Sequence, residues 1–421
     1  MPPFDLSYVR SQFPALSLTD AGRPAVYFDG PGGTQTPQRV IDAMTHCMVH
    51  TNANHGGPFR TSQESDAMLW SAHEAMADLL NAPSAHEIVF GPNMTTLTFA
   101  MSRSIGRDLA PGDEVLITRL DHDANRAPWQ ALAEKGVVVR EVDFDPADCT
   151  LRLDDLARQL GPRTKLVAVG YASNAVGTIN PIPEIADMVH AAGAWLWVDA
   201  VHYVPHGPVD VQRLGCDFLV CSPYKFFGPH SGVLWGRREL LEQLRAYKVR
   251  PAGNGSPDKF ETGTQNHEAQ AGVMAAVNYL AALGEVSDVS LPQEWAGLTG
   301  RRLALKEGMA AIKAYERELF QYFVEGLLDI PGLEFYGIRD FDRFDRRTPT
   351  AAFRLKGRHP EEVAAHLGRR GVYVWDGNFY AVSVTERLGL EDRGGVVRAG
   401  LAHYNTDEEV DYCLACLREI A

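Results

Sequence analysis

Between residues 114 and 236 the chain alternates short, unbroken apolar runs with amphipathic stretches, and that alternation leaves few architectures open. "EVLIT" (114–118), "VVVREVD" (137–143), "KLVAVGYAS" (165–173), "WLWVDA" (195–200), "DFLVCS" (217–222) and "GVLWG" (232–236) read as strands. "WQALAEKG" stops at Gly136, "LDDLARQLG" at Gly161, and "IPEIADMVHAAG" has proline near its start and Gly193 at its end, which are helix signatures. Strands without polar alternation belong to a sheet covered on both faces, so the class is α/β with a mostly parallel sheet flanked by helices. Right-handed crossovers bring the carboxyl ends of parallel strands to one edge, where open α/β sheets bind ligands. Asp199, Ser222 and Lys225 fall at that edge.

After about residue 290 the pattern changes. A long helical stretch, "GRRLALKEGMAAIKAYERELFQYFVEGLLDIPG" (300–332), precedes the short strands "LEFYG", "TAAFRL" and "GVYVW", the helix "PEEVAAHLGRRG" and a last helix after "HYNTDEE". A chain of 421 residues exceeds one ordinary core. The expected division is an N-terminal segment (1–20) packed on the smaller part, a large domain (21–290) and a C-terminal α+β domain (291–421).

The net charge of −14 argues against nucleic acid and anionic membranes as partners. The start, "MPPFDLSYVRSQFPAL", lacks a basic stretch followed by an apolar core, and no apolar run reaches the roughly 20 residues of a membrane span. Six cysteines in so long a chain make no disulfide framework, which points to a cytoplasmic protein. Cys413 and Cys416 lie in an amphipathic helix and read as packing residues, not a metal site. "DRFDRRT" (342–348) reads as an exposed charged loop.

Four features carry chemistry. Lys225 lies between a buried strand and two phenylalanines in "SPYKFFGP", where a cation is costly unless it reaches water or is uncharged and bonded. Asp199 ends an apolar strand. "FGPNMTTLTFAM" places Asn93, Thr95 and Thr96 at a helix start, a capping pattern that also suits phosphate. His122 follows the strand 114–118. Singly each has a plain structural reading. Together a lysine, an acid, a stackable ring and a phosphate seat describe pyridoxal phosphate (pyridoxal 5'-phosphate).

The chain also resembles the class V aminotransferases, in particular the cysteine desulfurase and selenocysteine lyase branch. The resemblance runs through "YFDGPGGTQTPQRVID" (27–42), "DHDANRAPWQ", "SNAVGTINPI", "VDAVHYVPHGPVDVQRLGCDFLVCSPYKFFGP", "FETGTQNHEA" and "VRAGLAHYNTDEEVD". It implies the aspartate-aminotransferase-like fold type I. Lys225 would be the Schiff-base lysine and proton carrier, Asp199 would hold the pyridinium nitrogen, and His122 would stack on the ring. Asn174 would bond the phenolic oxygen, and His202 takes the place of a glutamine near that oxygen. Met94 (through its backbone), Thr95, Ser222 and Tyr224 would bind the phosphate. Thr264 would reach the phosphate of a neighbouring subunit, which implies a homodimer with shared active sites. Arg398 would hold the α-carboxylate of an amino-acid substrate. Arg60 and His55, in "HGGPFRTSQES", would approach the substrate.

One departure stands out. Desulfurases of this branch carry a nucleophilic cysteine in a loop whose counterpart here is "VWDGNFYA" (374–381), with Tyr380 in place of the cysteine and Trp375 in place of an arginine. A phenol is protonated at neutral pH and cannot substitute for a thiolate. The expectation is therefore a C–S or C–Se lyase acting by direct β-elimination from an α-carbanion. The alternatives are an epimerase, with His55 or Tyr380 as second acid/base, an aminotransferase, a true desulfurase, or a non-catalytic binding protein. Aromatic residues in the loop suggest a bulky or apolar substrate side chain.

Overall fold

The computed structural model describes residues 4–20 and 22–421; residues 1–3 and the expected boundary at residue 21 lie outside the described residues. Seven strands form the main sheet: β1 (Ile88–Gly91), β2 (Glu114–Thr118), β3 (Val138–Val142), β4 (Thr164–Gly170), β5 (Trp195–Asp199), β6 (Phe218–Cys221) and β7 (Gly232–Gly236). Their order is β1-β7-β6-β5-β4-β2-β3. The pairs from β6 through β5, β4 and β2 to β3 are parallel, and β7 runs antiparallel to both its neighbours. Both faces are covered. Leu116, Val167, Val198 and Leu219 point into one core cluster, and Ile117, Ala168, Trp197 and Val220 into the other, the alternation a pleated strand dictates.

Two expectations change in detail. "VVVREVD" forms the edge strand β3, and Val138 is 43% exposed, because no strand lies beyond it. "WQALAEKG" is a short α-turn (Ala127–Gln130) followed by a 3₁₀ stretch (Ala131–Lys135) that closes on Gly136 at φ 81°.

A second, antiparallel sheet is built from β8 (Leu333–Tyr336), β9 (Thr350–Leu355), β10 (Trp375–Gly377) and β11 (Val396–Gly400) in the order β8-β9-β11-β10. The run "GVYVW" splits: Val372–Tyr373 pairs with Val26–Tyr27, and Trp375 begins β10 opposite Arg398. The helix α5 (His267–Glu285) packs on the long α6 (Gly300–Leu328), in the order of labels that begins with α1 (Leu6–Ser11), α2 (Arg60–Leu80), α3 (Met94–Ile105) and α4 (Ile182–Ala191). Their crossing needs bare backbone: a Cβ on Gly284 would lie 1.8 Å from the Ala304 carbonyl oxygen, and one on Gly308 2.3 Å from that of Leu280. An alanine at either position would separate the helices.

α1 is capped by Asp5 and tied down by Arg10, which donates to the Tyr404 carbonyl and pairs with Glu409 at 2.9 Å. Phe13 packs edge-on against Phe227, Tyr279 and His403, so this segment touches residues of both sheets' surroundings. The segment 342–348 is not simply a surface loop. Arg347 is 6% exposed, donates to the carbonyls of Ile338, Val176 and Thr350, and lies over the rings of Phe320, Phe335 and Phe344. Three carbonyls and three aromatic faces replace the water its guanidinium gives up. Arg346 stays exposed. Among the described residues no helix is long and apolar enough to cross a membrane.

Candidate active site

The carboxyl ends of β2, β4, β5 and β6 converge on one cavity of about 580 Å³. The register explains the convergence: Asp199, the last residue of β5, stands opposite Gly170 of β4 and Val220 of β6. Each strand then turns over its edge and leaves a polar side chain behind. β2 leaves Asp121 and His122, β4 leaves Asn174, β5 leaves Asp199 and His202, and β6 leaves Ser222, Tyr224 and Lys225, all lining the cavity.

Lys225 ends a 3₁₀ turn (Pro223–Lys225) and is 9% exposed. Its Nζ donates to the Pro31 carbonyl and lies 4.9 Å from the centre of the Tyr224 ring. Burial, and next the Arg398 charge, push its pKa down to about 7, against the opposing pull of Asp199 and Asp29. A substantial fraction is therefore neutral and nucleophilic at neutral pH. The turn is tight: Phe227, two residues on, has φ 71°, a conformation costly for a bulky side chain.

Asp199 is 7% exposed, and its Oδ1 accepts from the Val201 N–H at 2.9 Å. Burial raises its pKa to about 7. Asp121, which sequence reasoning passed over, accepts from the Gly170 N–H at 2.7 Å and the Asn125 amide at 3.0 Å; burial raises it to about 6. His122 Nδ1 accepts from the Ala124 N–H at 3.0 Å, and burial, then Lys225 and Arg398, lower its pKa to about 4. A neutral ring with its edge anchored is a stable face for stacking. Here Tyr380 stacks on it, centroids 5.5 Å apart and planes 26° apart.

The far end of the cavity is the start of α3. Asn93 caps it, accepting from the Thr96 N–H at 2.8 Å, and Met94 and Thr95 line the cavity. Its first turn can come so near the sheet because Gly232 begins β7: a Cβ there would lie 2.3 Å from the Asn93 carbonyl carbon. Free N–H groups at this helix start, with the hydroxyls of Thr95, Ser222 and Tyr224, form an anion seat. Tyr224 is fixed by stacking on His230, centroids 4.8 Å apart.

The second sheet supplies the mouth. Arg398 of β11 is 4% exposed, donates from Nη1 to the Asn174 carbonyl at 2.9 Å, and lies 4.0 Å from the centre of the Phe379 ring. Burial lowers its pKa to about 9, so it stays charged at neutral pH. Its Nε is buried without a partner. Phe379 and Tyr380 both take left-handed backbone, φ 57° and 58°. Asn174 holds the first through its amide (2.9 Å to the Phe379 carbonyl), and the Asp123 N–H holds the second (2.7 Å to the Tyr380 carbonyl). Trp375 packs over Gly32, where a Cβ would lie 2.5 Å from the indole nitrogen.

Thus Lys225, His122, Asp199, Met94, Thr95, Asn174, His202, Ser222, Tyr224, Arg398, Tyr380 and Trp375 share one cavity. Three other expected residues lie outside this cavity in the single chain, among them Thr264, which is expected to reach the phosphate of a neighbouring subunit. Thr264 is exposed before α5, His55 is exposed in a turn, and Arg60 points outward at the start of α2, paired with Glu64 at 2.7 Å. Asp29 is a further carboxylate missed from sequence. Its Oδ1 is buried without a partner, and its pKa rises to about 6 through burial, with Arg398 and Lys225 near enough to oppose the rise. It sits in "YFDGPGG", within the first of the stretches that carry the resemblance.

The donor set fits pyridoxal phosphate. An anion seat stands beside a carboxylate, an anchored imidazole and a buried lysine, and Asn174 Oδ1 and Arg398 Nε are orphaned polar atoms that a bound group would satisfy. None of the six cysteines lines the cavity, and all are buried. Burial drives the thiol of Cys221, the one nearest Lys225 in sequence, well above its usual range.

A sequence profile described as Aminotransferase class-V matches residues 26–294 and 293–413. A probable cysteine desulfurase of Mycolicibacterium paratuberculosis is 34% identical over 99% of this chain and 58% of its own length. A cysteine desulfurase of Synechococcus elongatus is 36% identical over 99% of this chain and 64% of its own length. The chain thus spans 58% and 64% of these two relatives. The apo structure of a cysteine desulfurase from Thermococcus onnurineus superposes with a TM-score of 0.83 at 27% identity, covering 94% of each chain.

Proposed function

The chain belongs to the class V aminotransferase family, and from that premise we propose that it is a pyridoxal-phosphate-dependent, cysteine desulfurase-like enzyme that cleaves a C–S or C–Se bond by direct β-elimination. The observation that carries the reading is the pairing of a buried Lys225 with a cavity that no thiol lines. The curated relatives named above are cysteine desulfurases, which supports the sulfur amino acid as substrate class. The bound cofactor supplies an electron sink for the carbanion left when the α-proton is removed.

The chain's own residues divide the remaining work. Met94, Thr95, Ser222 and Tyr224 would hold the phosphate, Asp199 would keep the ring nitrogen protonated, and His122 would support the ring face. Arg398 receives the substrate carboxylate, its Nε free to make a second, parallel bond. Lys225 takes the α-proton. The β-carbon–sulfur bond would then break with its electron pair on sulfur, and the leaving group, protonated with the proton Lys225 took up, would depart without forming a bond to the protein. Water hydrolyses the remaining enamine to pyruvate and ammonia. Phe379, Tyr380 and Trp375 bound the space for the leaving group. Thr264, exposed in one chain, is available to a second copy in a homodimer, and residues 21–290 and 291–421 act as the two parts between which the substrate is held.

The test is a product assay. Purified enzyme is incubated with cysteine, cystine and cysteine sulfinate. Pyruvate with free sulfur product supports elimination. Alanine with sulfur bound to the protein refutes the argument from the missing thiol. Exchange of the α-deuteron without either product selects epimerisation, with Tyr380 as the acid/base already in the cavity.

A further inference from the structure

The position of His202 in the cavity leaves its protonation state open, and the second sheet closes that question. His202 is 3% exposed, and its Nε2 lies 2.9 Å from the Thr350 hydroxyl and 3.1 Å from that of Thr348. Thr348 has another acceptor, the Gly177 carbonyl at 3.2 Å. Thr350, the first residue of β9, is fully buried, and among the described residues its hydroxyl has no other partner. A buried hydroxyl hydrogen needs an acceptor. The acceptor within reach is the Nε2 lone pair. In a neutral imidazole an accepting Nε2 places the ring hydrogen on Nδ1. That nitrogen has no partner among the described residues, and the ring borders the cavity.

The surroundings keep the ring neutral. Behind it the His206 ring lies 5.5 Å away at 71°, and His206 Nδ1 is 2.8 Å from the buried Glu316 carboxylate. Lys225 and Arg398 face His202 from the cavity, so three basic groups oppose a further positive charge there. Burial acts in the same direction and is the largest cause of a pKa well below 6.5.

We propose that Thr350 locks His202 in the neutral Nδ1–H tautomer, making it a standing hydrogen-bond donor to an anionic oxygen in the cavity, and that this donor lowers the proton affinity of the lysine–cofactor linkage. The inference rests on the cavity's being a pyridoxal phosphate site. The resemblance implies that this oxygen is the phenolic one, which carries more negative charge when the linkage is deprotonated, so a donor to it favours the deprotonated form. The inference also gives the second sheet, through β9, an influence on the cofactor's electronics that needs no contact with it.

The experiment is a pH titration of the visible band of the holoenzyme. Thr350→Val keeps the shape and removes the hydroxyl; the midpoint is expected to rise by about one pH unit, the equivalent of one hydrogen bond to a charged group. His202→Leu should reproduce that rise, and His202→Gln, whose amide can donate, should stay within about 0.3 unit of wild type. An unchanged midpoint in either Thr350→Val or His202→Leu overturns the proposal. Should Thr350→Val fail to fold, ¹⁵N spectra of histidine-labelled wild type, assigned with His202→Gln, decide: Nδ1–H supports it and Nε2–H overturns it. A wild type with no visible band sinks the cofactor reading itself; a wild-type band indifferent to these substitutions sinks only this inference.

Discussion

Asp199→Asn should make the cofactor-free protein more stable while weakening its hold on the cofactor, and the size of the gain follows from burial. The Asp199 carboxyl moves from 3.8 to about 7, chiefly through desolvation, with the neighbouring Asp121 adding to the rise. The folded state therefore holds this proton more tightly than the unfolded state does. Ionising the group costs stability, progressively as pH rises above 3.8 and fully once it exceeds about 7. At 1.36 kcal/mol per pH unit the full penalty is about 4 kcal/mol. At pH 5 it is about a third of that. Asparagine keeps an oxygen for the Val201 N–H but carries no charge to desolvate. With an unfolding entropy of about 2 cal/mol/K per residue, a chain this long should gain about 5 °C in melting temperature at pH 8 and about 2 °C at pH 5.

The assay is differential scanning calorimetry of the cofactor-free proteins at both pH values, repeated with saturating pyridoxal phosphate. The cofactor should raise the wild-type transition more than the variant's, because a cationic ring nitrogen beside Asp199 recovers the energy lost on burial. A variant equal to or less stable than wild type at pH 8, or a difference that is the same at pH 5, would refute the assignment of a buried, uncompensated carboxylate.

Three further outcomes are expected. Lys225→Ala should lose the visible Schiff-base band and, after borohydride reduction and dialysis, should retain none of the covalently bound, near-ultraviolet-absorbing cofactor that wild type keeps. It should also stabilise the cofactor-free chain near pH 7, where the lysine, lowered from 10.5 to about 7, bears most of its charging cost, and not above pH 10.5, where the cost vanishes. Arg398→Ala should lower kcat/KM for cystine by about 10²–10³-fold, from a buried charged pair worth roughly 3–4 kcal/mol, and lower turnover of the decarboxylated analogue cystamine far less; an equal loss for both would remove the carboxylate role. Thiol-blocking reagents applied to the folded enzyme should leave pyruvate formation within about twofold, since every cysteine is buried and none lines the cavity; a full loss that tracks labelling of one cysteine would reinstate a sulfur-accepting thiol.

The parallel order of the central strands and the convergence of Asp199, Ser222 and Lys225 were legible because unbroken apolar runs and helix stops are local signals. What stayed hidden depends on long-range packing. The apolar composition of "VVVREVD" says nothing of its place at the sheet edge, which follows from strand order. Arg347 looked exposed because three carbonyls from distant segments and three rings cannot be foreseen in "DRFDRRT". Asp121 and Asp29 were on the page as letters inside the motifs that carried the resemblance, yet their charge matters only because burial raises both to about 6.

The same burial explains why the cavity resists being read as ordinary core. Lys225, Asp199 and Asp121 of the cavity lining have pKa values moved toward their neutral forms, as has Asp29 near Lys225 and Arg398, and Phe379 and Tyr380 of the lining occupy left-handed backbone, as does Phe227 two residues past Lys225. Each of these is unfavourable for the empty fold, by roughly 1–3 kcal/mol for each strained residue. Mere packing would not retain them together: neutral side chains for the charges and glycine at φ 57° and 58° would suit the backbone better. A bound group that meets Asp199 and Lys225 at once, with a substrate that uses Arg398 beneath the aromatic loop, would offset these costs. Strain and desolvation concentrated at one edge of a sheet whose remainder is close-packed are what a site prepared for a charged planar ligand requires.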